Sequence, residues 1–111
     1  MEKVEKYRDF IKQVLTKYAA YKPSYGEVEM QVVFDIEHNH YQVVRVGWDN
    51  KQRVYGCSIH LDIKDGKIWI QQNGTEIDLG QELVNIGVPK SDIVVGFHPP
   101  YMRQFTEFAV S

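Results

Sequence analysis

Apolar residues in the first part of the chain recur at helical spacing. Val4, Tyr7, Ile11, Val14, Tyr18 and Tyr21 form one stripe, which Phe10 and Leu15 widen. This spacing predicts an amphipathic helix, and Pro23 ends it because proline cannot continue the helical hydrogen bonds. The stripe covers under three heptads. That is short for a coiled-coil seam, so the helix is expected to pack on its own domain.

From Val28 the period changes to two. Val28, Met30, Val32, Phe34 and Ile36 share one face, with Glu29, Gln31, Asp35 and Glu37 opposite. That pattern predicts a half-buried strand over 28–36. "HNH" at 38–40 reads as a three-residue loop, with Asn39 able to turn left-handed. A second strand follows over 41–48, with Val44, Val46 and Trp48 on one face. Pairing Glu37 with Tyr41 sets Phe34 against Val44 and Val32 against Val46, so the two apolar faces coincide. Asp49-Asn50 starts the next turn, and a long strand over 53–64 aligns Tyr55, Cys57, Ile59, Leu61 and Ile63. Asp65-Gly66 is a two-residue hairpin loop leading to a strand over 67–72. It pairs Ile63 with Ile68, Asp62 with Trp69, Leu61 with Ile70 and His60 with Gln71. Trp69 then stands on the polar face, beside His60, Asp62, Lys64 and Gln71.

Asn73-Gly74 would suit a hairpin, but "IDLGQELVNIG" does not alternate. Thr75 followed by Asp78 resembles a helix start, and Gly87 suits a helix stop. The dipeptide therefore turns strand into helix. Gly80 either weakens that helix or marks a close contact. The tail, with Pro99-Pro100, predicts a further short strand or an extended cover segment. The fold class is α+β: an N-terminal helix, a four-stranded antiparallel meander, a second helix and an irregular or short-strand C-terminal segment.

Length and charge narrow the function. A chain of 111 residues suits one domain, 1–111, and a net charge of −2 gives no basic excess for strong autonomous nucleic-acid binding. No segment is long and apolar enough to span a membrane, and no signal peptide is visible, so a cytoplasmic protein is expected. In that compartment the Asn73-Gly74-Thr75 glycosylation pattern has no role. The lone Cys57 forms no internal disulfide and reads as a core residue.

The candidate chemistry is sparse. His38 and His40 flank a loop and lack a clear third ligand, so no metal and no cofactor is expected. His98 is expected to fix the tail backbone by a hydrogen bond. Asp62-Ile63-Lys64 has the acid-x-Lys spacing of a metal-dependent nuclease, with Asp49 as an upstream acid. The motif runs straight into the Asp65-Gly66 turn, and nothing else supports catalysis. Trp69, with His60, Asp62, Gln71 and Arg53, is instead a candidate protein-contact surface. The alternative is that the tail, with Phe105 and Phe108, covers Trp69.

Several segments carry a family likeness: Trp48-Asp49, Arg53-Val54, Gly56, His60, Asp62, "GKIWIQ" at 66–71, "GTE" at 74–76, "GVPKSDIV" at 87–94, "FHPP" at 97–100 and "TEFAV" at 106–110. With these the chain resembles XisI, the fdxN element excision controlling factor, along essentially its whole length. The resemblance implies a cyanobacterial protein tied to programmed excision of a DNA element. It implies a controlling role rather than catalysis, exercised with a XisH-like protein and a recombinase, with self-association possible. It supplies no catalytic residues.

Overall fold

The computed structural model describes residues 2–21 and 26–111, and Pro23 lies outside them. Helix α1 spans Glu2–Ala19, followed by strands β1 (Glu27–Asp35), β2 (His40–Asp49), β3 (Gln52–Lys64) and β4 (Lys67–Asn73). Then come α2 (Leu79–Ile86), a single 3-10 turn (Lys90–Asp92), β5 (Ile93–Val95) and the one-turn α3 (Pro100–Arg103). The sheet order is β1-β2-β3-β4-β5. The first four strands form the expected antiparallel meander, and β5 adds parallel to β4.

One sheet face carries the core. Tyr7, Ile11 and Leu15 of α1 and Leu79 and Leu83 of α2 pack on Tyr41, Val43, Ile59, Leu61, Ile63, Ile68 and Ile70. The α1 stripe thus packs on its own domain, although Tyr21 lies beyond the helix and is exposed.

The β1–β2 register differs from the sequence expectation. Asp35 Oδ1 accepts the His38 backbone N–H at 3.0 Å, which makes residues 36–39 a four-residue turn. Asn39 does take the left-handed conformation, with φ 58°. Phe34 consequently faces Tyr41, not Val44, and Val32 faces Val43. Tyr41 and Val43 point into the core, while Val44, Val46 and Trp48 share the opposite face with His40 and Gln42.

Two β-bulges reset the later faces. Val43 pairs with Ile59 but Val44 with Cys57, so Ser58 is an extra residue in β3. Beyond it Tyr55 and Cys57 turn to the outer face, contrary to their expected place in the core. Cys57 is only half-buried there, and Tyr55 is 69% exposed. In β4 the extra residue is Gln71, because Leu61 pairs with Ile70 and His60 with Gln72. The Asp65-Gly66 hairpin forms as read, with both residues at positive φ.

Asn73-Gly74 leads from strand to helix as expected, but the helix cap is Asp78 rather than Thr75. Thr75 is occupied by Asn73, its hydroxyl donating to Asn73 Oδ1 at 2.6 Å, while Asp78 Oδ1 accepts from Gln81 N at 3.1 Å. Gly87, at φ 125°, closes α2 by donating to Leu83 and Val84 carbonyls. Gly80 marks a close contact: a Cβ there would meet Phe108 Cζ at 2.6 Å.

Candidate functional site

Both helices α1 and α2 sit on the core face, which leaves the other sheet face with little cover. From β1 to β3 that face presents Val33, Gln42, His60 and, one row along, Asp35, His40 and Asp62. Toward the other end it presents Val46 with Tyr55 and Trp48 with Arg53. Exposure is high for the large apolar members: Val33 45%, Trp48 50% and Tyr55 69%. Arg53 stacks over both aromatics, its Cζ 5.3 Å from the Trp48 ring centre and 6.0 Å from that of Tyr55.

The polar end is tightly organised. Cross-strand pairing sets His40 directly beside Asp62, and the two-residue period sets His60 on the same side. Asp62 Oδ1 receives His40 Nδ1 at 2.7 Å and His60 Nε2 at 2.7 Å. The Gln71 amide donates to Asp62 Oδ2 at 3.3 Å, and the Gln42 amide lies 3.5 Å from His60 Nδ1. Because the Asp62 carboxylate can only accept, His60 Nε2 carries a proton and points it at Asp62. Partial burial pushes the Asp62 carboxyl up. The hydrogen bonds from His40 and His60, the His60 charge and the Gln71 amide outweigh it and hold the group below the usual carboxylate value. The bond to Asp62 raises the His40 pKa, outweighing the opposing effect of desolvation, and the Asp62 and Asp35 charges act in the same raising direction.

This cluster supplies the neighbours that the sequence did not reveal for His40. His38 and His40 do not work together: His38 pairs with Asp35 at 2.9 Å, and the strand carries His40 to Asp62 instead. The signal was available in the strand pairing, but only in the observed register does His40 stand opposite Asp62.

Trp69 is half-buried rather than exposed. Lys64 Nζ lies 4.8 Å from its ring centre and Arg103 Cζ 5.2 Å. A Cβ on Gly96 would sit 3.2 Å from Trp69 Cε3 and 2.6 Å from Gln71 Oε1, so the tail backbone runs tight against this face. Arg103 clamps that backbone, donating from Nε to the His98 carbonyl at 3.1 Å and from Nη2 to the Gly96 carbonyl at 3.2 Å. The tail does cover Trp69, but through Gly96 and Arg103. Phe105 is exposed, and Phe108 packs on the core side at Gly80. His98 was expected to fix the tail backbone; its ring instead packs edge-on against Phe97 at 4.8 Å. Trp69 Nε1 is buried without a hydrogen-bond acceptor.

The nuclease set does not assemble. Asp62 and Lys64 share a strand face, but Asp49 pairs with Gln52 at the far end of β2 while Asp62 pairs with His40 at its start. The strand rise puts these two ends about 30 Å apart. Cys57 Sγ donates to the Ile59 carbonyl at 3.1 Å, and burial raises its pKa, which disfavours the reactive thiolate. Among the described residues no helix is long and apolar enough to cross a membrane.

Comparison with known proteins gives a consistent answer. The family model described as XisI protein matches residues 1–110. A crystal structure of a XisI-like protein from Anabaena variabilis superposes with a TM-score of 0.89 at 50% identity, covering 96% of this chain and 97% of that one. The fdxN element excision controlling factor XisI, also from Anabaena variabilis, superposes with a TM-score of 0.84 at 34% identity, covering 98% and 99%. No curated protein sequence matches.

Proposed function

The chain belongs to the XisI family, and we propose that it acts as a non-catalytic controlling factor for excision of a DNA element of the fdxN type. It would work through protein partners, a XisH-like protein and a site-specific recombinase, and not by cutting DNA. The observation that carries this reading is the outer sheet face. Trp48 and Tyr55 remain exposed at one end of it, and Val33 at the other end, beside an ordered polar cluster. Large exposed aromatics stacked with arginine are what contact hot spots are made of. The absence of a net positive charge fits a protein partner better than DNA as the direct contact.

In this reading Tyr55, Trp48 and Arg53 are the anchors, while His60, Asp62, Gln71 and the edge of Trp69 form the polar rim. Co-expression with the XisH-like protein, followed by light scattering on the purified mixture, tests it. Arg53→Glu combined with Tyr55→Ser is expected to weaken the complex at least about tenfold, the loss of one hot spot, while the melting temperature moves little. A complex that survives this double change overturns the assignment of the surface. The same measurement on the protein alone reads self-association through this face.

A further inference from the structure

We propose that His40, His60 and Asp62 form a binding site for a divalent transition-metal ion of the zinc(II) class. The inference goes beyond the partner-binding reading and requires no partner. Three donors of the right kind converge from two adjacent strands: one ring nitrogen each of His40 and His60 and one Asp62 oxygen, all within 4.8 Å of one another. Both imidazoles aim a ring nitrogen at the same carboxylate oxygen, each from 2.7 Å. A tetrahedral ion with bonds of about 2.0–2.2 Å needs its ligands about 3.3 Å apart. To reach that spacing the 2.7 Å nitrogen–oxygen contacts must open and any wider separation, up to 4.8 Å, must close, through rotation of the three side chains.

The surroundings suit an ion as well. Metal-ligating histidines and carboxylates are ordinarily oriented by outer hydrogen bonds on their other polar atoms. Here Gln71 holds the second Asp62 oxygen at 3.3 Å and Gln42 lies 3.5 Å from the second His60 nitrogen. The His40 side chain is 54% exposed and Asp62 15% exposed, so the site opens to solvent while its carboxylate is shielded. Three protein ligands leave a fourth position for water. Two imidazoles with one carboxylate favour zinc, cobalt or nickel over magnesium or calcium, which prefer oxygen donors. In the metal-free state the two N–H groups satisfy Asp62; when the ion replaces both bonds, a charged ring releases the proton of its ligating nitrogen to solvent, and a neutral ring moves it to the other nitrogen, where His60 Nδ1–H meets Gln42 with its amide turned to present the oxygen.

The test is calorimetric titration of the full-length protein, freed of any affinity tag, with zinc chloride, and with magnesium chloride in parallel. One zinc ion per chain and no magnesium uptake are expected. The cobalt(II) form should show the visible bands of a low-coordinate nitrogen–oxygen site. His40→Gln should weaken zinc binding by more than about 100-fold, beyond the 10–100-fold typical of an outer-shell change, and Gln71→Ala should fall within that range. His38→Gln, which touches only the neighbouring Asp35 pair, should leave it unchanged. Zinc should also raise the melting temperature of the parent and fail to do so for His40→Gln. Because His40 is exposed, that variant keeps the fold and carries the test even if Asp62→Asn does not fold. No zinc uptake overturns the proposal. So does uptake that survives His40→Gln, or uptake abolished by His38→Gln.

Discussion

Replacing Arg103 with alanine should release the tail from Trp69. The guanidinium donates to two tail carbonyls, at 3.1 and 3.2 Å, and stacks 5.2 Å from the indole centre. Each charged hydrogen bond in a part-buried setting contributes about 1 kcal/mol net, and the cation–π contact about 0.5–1 kcal/mol. The freed carbonyls regain water, so no further penalty is added. The sum is about 2.5–3 kcal/mol. For a domain of this size that corresponds to about 10–12 °C in melting temperature, provided the tail unfolds with the rest. Arg103→Lys should recover only part of it, since a single ammonium cannot bond both carbonyls and stack at once. Trp69 fluorescence in a Trp48→Phe background reports the local event: its emission should shift to the red in Arg103→Ala, because the indole gains water. An unchanged melting temperature together with unchanged Trp69 emission would refute the clamp.

Four further outcomes follow. Gly47→Ala would put a Cβ 2.0 Å from the Glu27 carbonyl oxygen and 2.6 Å from Val28 Cα, both backbone; β1 must peel back, costing about 2–3 kcal/mol in ladder hydrogen bonds, read as a lower urea midpoint. Gly80→Ala gains about 1 kcal/mol of helix propensity but displaces Phe108 at an overpacking cost of about 1–3 kcal/mol, so a net loss is expected in the same titration. Burial pushes the Asp92 carboxyl up, but the bonds from Tyr7 and Lys3 and the charges of Lys3 and Lys67 hold it below its ordinary 3.8. A folded pKa below the unfolded one stabilises above about pH 4 and is lost as pH falls through the folded value; Asp92→Asn should therefore flatten the acid limb of the stability curve. The purified protein should not cleave DNA with magnesium or manganese; cleavage that disappears in a folded Asp62→Ala protein would contradict this.

The meander was legible because its turns announce themselves. Asp65-Gly66 pins one hairpin, and the Ile63–Ile68 and Leu61–Ile70 pairs follow directly. The faces were harder to read. Ser58 breaks no alternation visible in "YGCSIHLDI", yet as a bulge it sends Tyr55 and Cys57 to the outer side. A register error of this kind inverts every face beyond it, and it hid the exposed Tyr55 that now anchors the candidate surface. His60 and Asp62 were readable as a same-face pair from their spacing. His40 was not, because only the Ser58 bulge shifts the β2–β3 pairing by one residue and sets His40 opposite Asp62 in place of Leu61. The parallel β5 and the Arg103 clamp depend on long-range contacts that no local pattern encodes.

The central claim is that the outer sheet face meets a protein partner. Hydrogen–deuterium exchange on the protein alone and in complex with the XisH-like protein tests it most directly. The account predicts new protection in β2 and β3 around Trp48, Arg53 and Tyr55, extending toward His60 and Asp62, with the α1 and α2 amides unchanged. Protection confined to α1 and α2, or DNA strand cleavage by this chain in place of complex formation, would contradict it.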